Sequence, residues 1–170
     1  MAAKTQPSVD IEALKAASTP VQAEDSMAEA GRKILLGDFI RMLNHEAGSR
    51  TGEDIEDVHQ MRVATRRMRS AFRLLGQYYK DKPVRPFVGY LRKVAQALGG
   101  VRDLDVLIDD LERYQQTLDA KTAKALGATI ALLDKKRRKA RKRLVALLDS
   151  KDYAGFVRSY AKFLTKPGKG

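Results

Sequence analysis

The chain has 170 residues, of which 44% are hydrophobic and 32% charged, with five prolines, no tryptophan and no cysteine. That length suits one domain with a real core, the residue mix favours helices over a β-rich fold, and the missing cysteines exclude disulfides and thiolate metal sites. Net charge is +12; no apolar run nears the roughly 18 residues that span a bilayer, and the N-terminus lacks the basic-then-apolar order of a secretion signal, so a cytoplasmic protein is expected.

Residues 1–18 read as a flexible tail in which Ile11 and Leu14 support at most a transient helix. Thr19 and Pro20 make a good N-cap and first-turn pair. From there Met27, Ile34, Leu35, Phe39, Met42 and Leu43 predict a core-facing helix that ends near Glu46. His45, at its end, suits the negative pole of the helix dipole better than a ligand role. The stretch Gly48–Asp57 reads as a loop, with Gly48 and Gly52 as breakers and acids placed to cap the next helix.

That helix, Val58–Leu75, organises the rest. At about 100° per residue, His59, Arg62, Arg66, Arg69 and Arg73 fall in one narrow row, while Val58, Met61, Ala64, Met68, Phe72 and Leu75 cover the adjoining face. Arg67 lies outside the row, nearer the opposite flank. No Asp or Glu occurs between Asp57 and Asp81, so these arginines have no ion pair within their own helix. A row of like charges repels itself, and a polyanion would relieve that repulsion.

Pro83 and Pro86 close this helix and start a third, with Val88, Leu91, Val94, Ala95 and Leu98 as its core side and Arg92 and Lys93 opposite. Gly99-Gly100 is expected to break the chain before a fourth helix, 103–117, that buries Leu104, Leu107, Ile108, Leu111 and Tyr114. Asp103 and Asp105 are two residues apart and point away from each other on a helix, which argues against a paired acid–base or metal role. A long helix over 122–148 places Leu126, Ile130, Leu133, Ala140, Leu144 and Leu147 on a bundle seam. Arg137 interrupts that seam, so it either snorkels outward or opens a basic groove facing the His59 helix. A last helix, capped by Ser150, carries Tyr153, Phe156, Val157, Tyr160 and Phe163. The expected architecture is an all-α antiparallel bundle of five to six helices over 19–166, followed by a short tail at 167–170. Leu104, Leu107, Leu111, Ile130, Leu133 and Leu144 are expected to be buried.

Charge is segregated along the chain. Residues 59–93 hold ten Lys or Arg against one Asp, and 135–143 hold eight cations and no acid. Blocks of one sign point to an anionic partner such as polyphosphate, nucleic acid or a lipid surface.

The motif HQMRVATRRMRS (59–70), followed by LGGVRDLDV (98–106), resembles the signature of the CHAD domain, the conserved histidine α-helical domain, and the resemblance runs from about Met27 to Leu164. It implies a helical bundle that binds inorganic polyphosphate through a basic surface, with polyphosphate granules as a location. It further implies that Asp103 or Asp105 pairs with arginines such as Arg102 and fixes their orientation. Domains of the family commonly have two similar helical halves, of which this chain carries roughly one. A symmetric homodimer that covers the apolar face so exposed is therefore expected.

No catalytic set emerges: there is no glycine-rich phosphate loop and no nucleophile beside a base, and two histidines are too few for a zinc site. The expected role is a binding module without cofactor or metal. Its candidate polyphosphate ligands are His59, Arg62, Arg66, Arg67, Arg69, Arg73, Arg92, Lys93, Arg102, Arg137, Arg138 and Arg141, the arginines contacting phosphate oxygens in bidentate fashion. Two alternatives stay open: binding of a nucleic-acid backbone, and service as an auxiliary subunit of a phosphate-transferring enzyme. The row lacks aromatic residues for base stacking, which weighs against single-strand recognition.

Overall fold

The computed structural model describes residues 9–166; the first eight residues of the expected N-terminal tail and the expected tail at 167–170 lie outside them. Among the described residues there are seven α-helices and no strand. They are α1 Ile11–Ala16, α2 Met27–Asn44, α3 Glu46–Thr51, α4 Ile55–Leu75, α5 Asp81–Gln115, α6 Ala120–Leu148 and α7 Lys151–Leu164. A 3-10 turn, Gly76–Tyr78, links α4 to α5. Helix α2 packs on α4, α4 on α5 and α5 on α6, while α7 closes against α2, α5 and α6. The all-α expectation holds.

Local chemistry moves several boundaries. Residues 11–16, expected to be at most transiently helical, form α1: the Asp10 carboxylate accepts the Glu12 and Ala13 N–H groups at 2.9 and 3.3 Å, and Leu14 is buried in the core. Helix α2 begins at Met27 and not at Thr19-Pro20, because the Ser26 hydroxyl caps the Glu29 N–H at 3.2 Å. Upstream of that cap, Asp25 accepts the Gln22 N–H and the Lys33 ammonium, holding the segment in a turn. Met27 and Ile34 are exposed, since the buried face turns toward Leu36, Phe39, Ile40 and Leu43. Gly48 does not break the chain. It lies inside α3, where a Cβ would come within 1.8 Å of the Asp57 carboxylate, so its missing side chain is what lets α3 approach α4. Gly52, at φ 72°, is the true terminator.

Gly99-Gly100 does not break the chain either. Helix α5 runs through both glycines for 35 residues. Two mid-helix glycines cost about 1 kcal/mol each, but Leu91, Val94, Leu98, Val101, Asp105 and Ile108 keep a three–four spacing across them and are all buried. Packing along this unbroken seam outweighs the propensity cost. Pro83 falls in the first turn, where its missing N–H has no helical partner to lose, and Pro86 sits one turn further in.

Of the six leucines and isoleucines expected to be buried, only Leu144 is fully so; Leu104, Leu111, Ile130 and Leu133 are half-buried, and Leu107 is exposed, as is Tyr114. The reason is architectural. Beyond Ile108, α5 and α6 form a hairpin whose two helices cover only each other, closed near its tip by the Gln115 side-chain amide donating to the Ala123 carbonyl at 2.6 Å.

The base of α4 is held by α3. The Tyr153 hydroxyl donates to Glu46 at 2.6 Å, and Arg50 bridges Glu46 (2.7 Å) to the Leu148 carbonyl (3.0 Å), tying α3 to the α6–α7 junction. Burial beside the Glu46 carboxylate pushes the Tyr153 phenol well above its ordinary value. His45, at the end of α2 as expected, meets Asp57 of α4 through Nδ1 at 2.8 Å.

Candidate anion-binding groove

The apolar face of α4 is buried as its spacing predicts, through Val58, Met61, Ala64, Met68 and Phe72. That fixes the helix's rotation, and the arginine row is left pointing along the crevice between α4 and α5. There Arg66, Arg69, Ser70, Phe72, Arg73, Val88 and Arg92 line a cavity of about 570 Å³. A second cavity of about 420 Å³ continues it along Arg62, Arg66, Arg69, Arg92, Ala95 and Gln96. Arg62 and Arg73 are eleven residues apart, about 16 Å along the axis. The groove is therefore long, shallow and cationic on both walls.

Most of its charge is uncommitted. Arg62 is the exception, with Nη2 4.0 Å from Asp103 Oδ1. Among the described residues no carboxylate pairs with Arg66, Arg69, Arg73 or Arg92. Gly99 of α5 lies beside Arg62, whose Nε would be in ordinary contact, 3.8 Å, with a Cβ placed there.

Gln96 leads to a neighbouring cavity of about 350 Å³ between α5 and α6, lined by Lys93, Gln96, Ala97, Gly100, Ala140, Arg143 and Leu147. Lys93 lies 5.6 Å from the Tyr90 ring centroid in a cation–π contact. Neither Gln96 nor Arg143 stands out in the sequence. Arg143 belongs to a run of eight cations that surround α6, and only the rotation set by buried Leu144 and Leu148 distinguishes it.

The structure divides the sequence-derived candidates. Arg62, Arg66, Arg69, Arg73 and Arg92 share one groove, and Lys93 borders its extension. His59 is half-buried on the same row of α4. Arg67 is on the opposite flank, where its Nε meets Asp38 of α2 at 3.1 Å. Burial raises the Asp38 carboxyl, with Arg67 and Arg41 pulling it back.

Arg137 and Arg141 turn toward Asp105, each 3.6 Å from its Oδ1. Neither snorkelling nor a groove opens the seam at Arg137; a buried carboxylate from α5 meets it. Arg138 and Arg137 also bind Asp134, the latter at 2.6 Å. Burial pushes Asp105 up against the pull of Arg141, Arg137 and half-buried Arg102. Of the two acids of the second motif, Asp105 thus organises the α6 cations and Asp103 approaches Arg62.

Fold and groove together define a class: an all-helical bundle that presents a row of arginines along a crevice instead of burying it. The chain belongs to the CHAD domain family, whose model matches residues 33–170 and so takes in both motifs. No curated protein matches it. Among the described residues, no helix is long and apolar enough to cross a membrane.

Proposed function

We propose that the protein is a non-catalytic module that binds inorganic polyphosphate in the α4–α5 groove. The observation that carries this reading is the joining of Arg66, Arg69 and Arg73 with Arg92 around one cavity, with no carboxylate among the described residues paired to any of the four. Membership in the CHAD family, which is associated with polyphosphate, supports it.

Guanidinium groups suit the task because each offers a planar fork of donors that matches two phosphate oxygens. Rising about 5 Å per turn, the row suits a linear chain of anionic groups better than a single compact anion. Arg67, Arg137 and Arg141 are tied to acids and are assigned a supporting role. Arg62, Arg66, Arg69, Arg73 and Arg92 are the direct ligands, with Lys93 and Arg143 extending the field.

Nucleic acid is the competing ligand, since a duplex also presents phosphates. A competition titration of polyphosphate against duplex DNA, at matched phosphate and salt concentrations, separates the two. Displacement of DNA by polyphosphate at lower phosphate concentration is the expected result. Equal competition per phosphate would leave only charge recognition and overturn the reading.

A further inference from the structure

Helix α5 carries a second seam. Leu104, Leu107, Leu111 and Tyr114 repeat the three–four spacing of the buried row, displaced around the helix. Leu107 is 43% exposed and Tyr114 58%. On α6, Ala125, Thr129 and Leu132 follow the same steps, and Leu132 is 64% exposed.

Both rows lie on one side of the hairpin. Stepping outward along α5 by three or four residues from Lys93, Gln96 and Gly100 reaches Leu107, Leu111 and Tyr114, and the same steps from Arg143 along α6 reach Lys136, Leu132 and Thr129. Lys93, Gln96, Gly100 and Arg143 share one cavity, so the apolar rows extend the side on which it opens. Bulky residues dominate the α5 row, and small ones accompany Leu132 on α6. A two-helix arm buries one seam and leaves this face to water, a situation that association resolves.

Charge selects the occupant. Between 103 and 112 α5 has five acids and no cation, whereas α6 has eight cations between 135 and 143. We propose that this face pairs with the same face of a second copy, about a two-fold axis parallel to the hairpin, so that α5 of each copy lies on α6 of the other. This arrangement sets bulky rows against small ones and acids against cations; the perpendicular two-fold would lay α5 on α5 and oppose acid to acid.

The register follows from contacts within the arm. Asp105 lies level with Arg137 and Arg141, and Gln115 with Ala123, which puts Leu132 between the levels of Leu107 and Leu111, and Tyr114 level with Ala125. In the pair, Leu132 of one copy inserts between Leu107 and Leu111 of the other, and Lys136 reaches toward Asp110. None of this requires an anion in the groove.

Sedimentation equilibrium of the full chain tests it, with circular dichroism to verify folding. The wild type is expected to show a concentration-dependent dimer. Leu132→Asp and Tyr114→Asp change exposed side chains, so helicity should persist while the dimer weakens by about tenfold or more, as for central interface anchors. Asp110→Lys and Lys136→Glu should each weaken the dimer, and the two together should restore it. A monomeric mass for the wild type at every concentration would overturn the proposal. So would a dimer that survives the combined Tyr114→Asp and Leu132→Asp changes.

Discussion

Asp105 and Arg137 each occupy a seam position of their own helix where an apolar residue is expected, and the two face each other across α5 and α6 with Oδ1 and Nη1 3.6 Å apart. Arg141, one turn further along α6, stands at the same distance from the same oxygen. The carboxylate is buried and neither oxygen has a hydrogen-bond partner in the structure, so it is held by charge and not by directed bonds. Removing the carboxylate strands Arg141, which has no other acid partner among the described residues, while Arg137 keeps Asp134. Asp105→Leu should therefore destabilise the protein by about 3–5 kcal/mol. Adding Arg137→Leu should recover part of that loss, because both seam positions become apolar. Urea unfolding of the two variants measures the difference; a neutral Asp105→Leu would refute the cluster's structural role.

Acid stability tests a different contact. Hydrogen bonds from Arg32 hold the Glu29 carboxyl below its ordinary value. The unfolded chain thus binds the proton more readily, and the pair's stabilisation is fully present above the ordinary glutamate value of about 4.3 and lost as pH falls through the depressed folded value. Glu29→Gln should lower the melting temperature near neutrality and flatten its decline below about pH 4. An unchanged acid limb would remove Glu29 from the account.

Periodicity made the helices and the core side of α4 legible, because a buried face leaves a three–four record in sequence. The same record runs through Gly99-Gly100 from Leu91 to Ile108, and reading the glycine pair as a stop ignores it. Asp105 hides the continuity: an acid at a seam position looks like surface until Arg137, an equally misplaced cation, is put opposite it. The groove was half legible. Its α4 wall is one helix's stripe, but the union with Arg92, Gln96 and Arg143 depends on how three helices are rotated against each other, which no single helix records. The exposure of Leu107 and Tyr114 likewise reflects what α5 lacks as a neighbour.

Glycine substitutions test the continuity of α5 directly. A Cβ at Gly100 meets nothing within 4 Å, and one at Gly99 makes only an ordinary contact with Arg62. Gly100→Ala should stabilise the protein by about 0.5–1 kcal/mol, as expected for a helix interior. Gly52→Ala should do the opposite by more than about 1 kcal/mol, since its backbone is left-handed and a Cβ would come within 1.5 Å of Arg141 Nη1. Thermal denaturation of both variants suffices. Loss of stability in Gly100→Ala would mean that a break, not a helix, occupies that point.

The central claim is that the arginine row, rather than net charge, binds the polyanion, and position is what distinguishes them. Arg66→Glu with Arg69→Glu reverses two cations lining the groove; Lys121→Glu with Lys124→Glu makes the same change in net charge at the exposed far end of the hairpin. Polyphosphate affinity measured by titration calorimetry at fixed salt should nearly vanish in the first variant, with its helicity intact, and fall only slightly in the second, where the effect is long-range and screened. Equal losses in both would contradict the account and leave the protein a diffuse polycation.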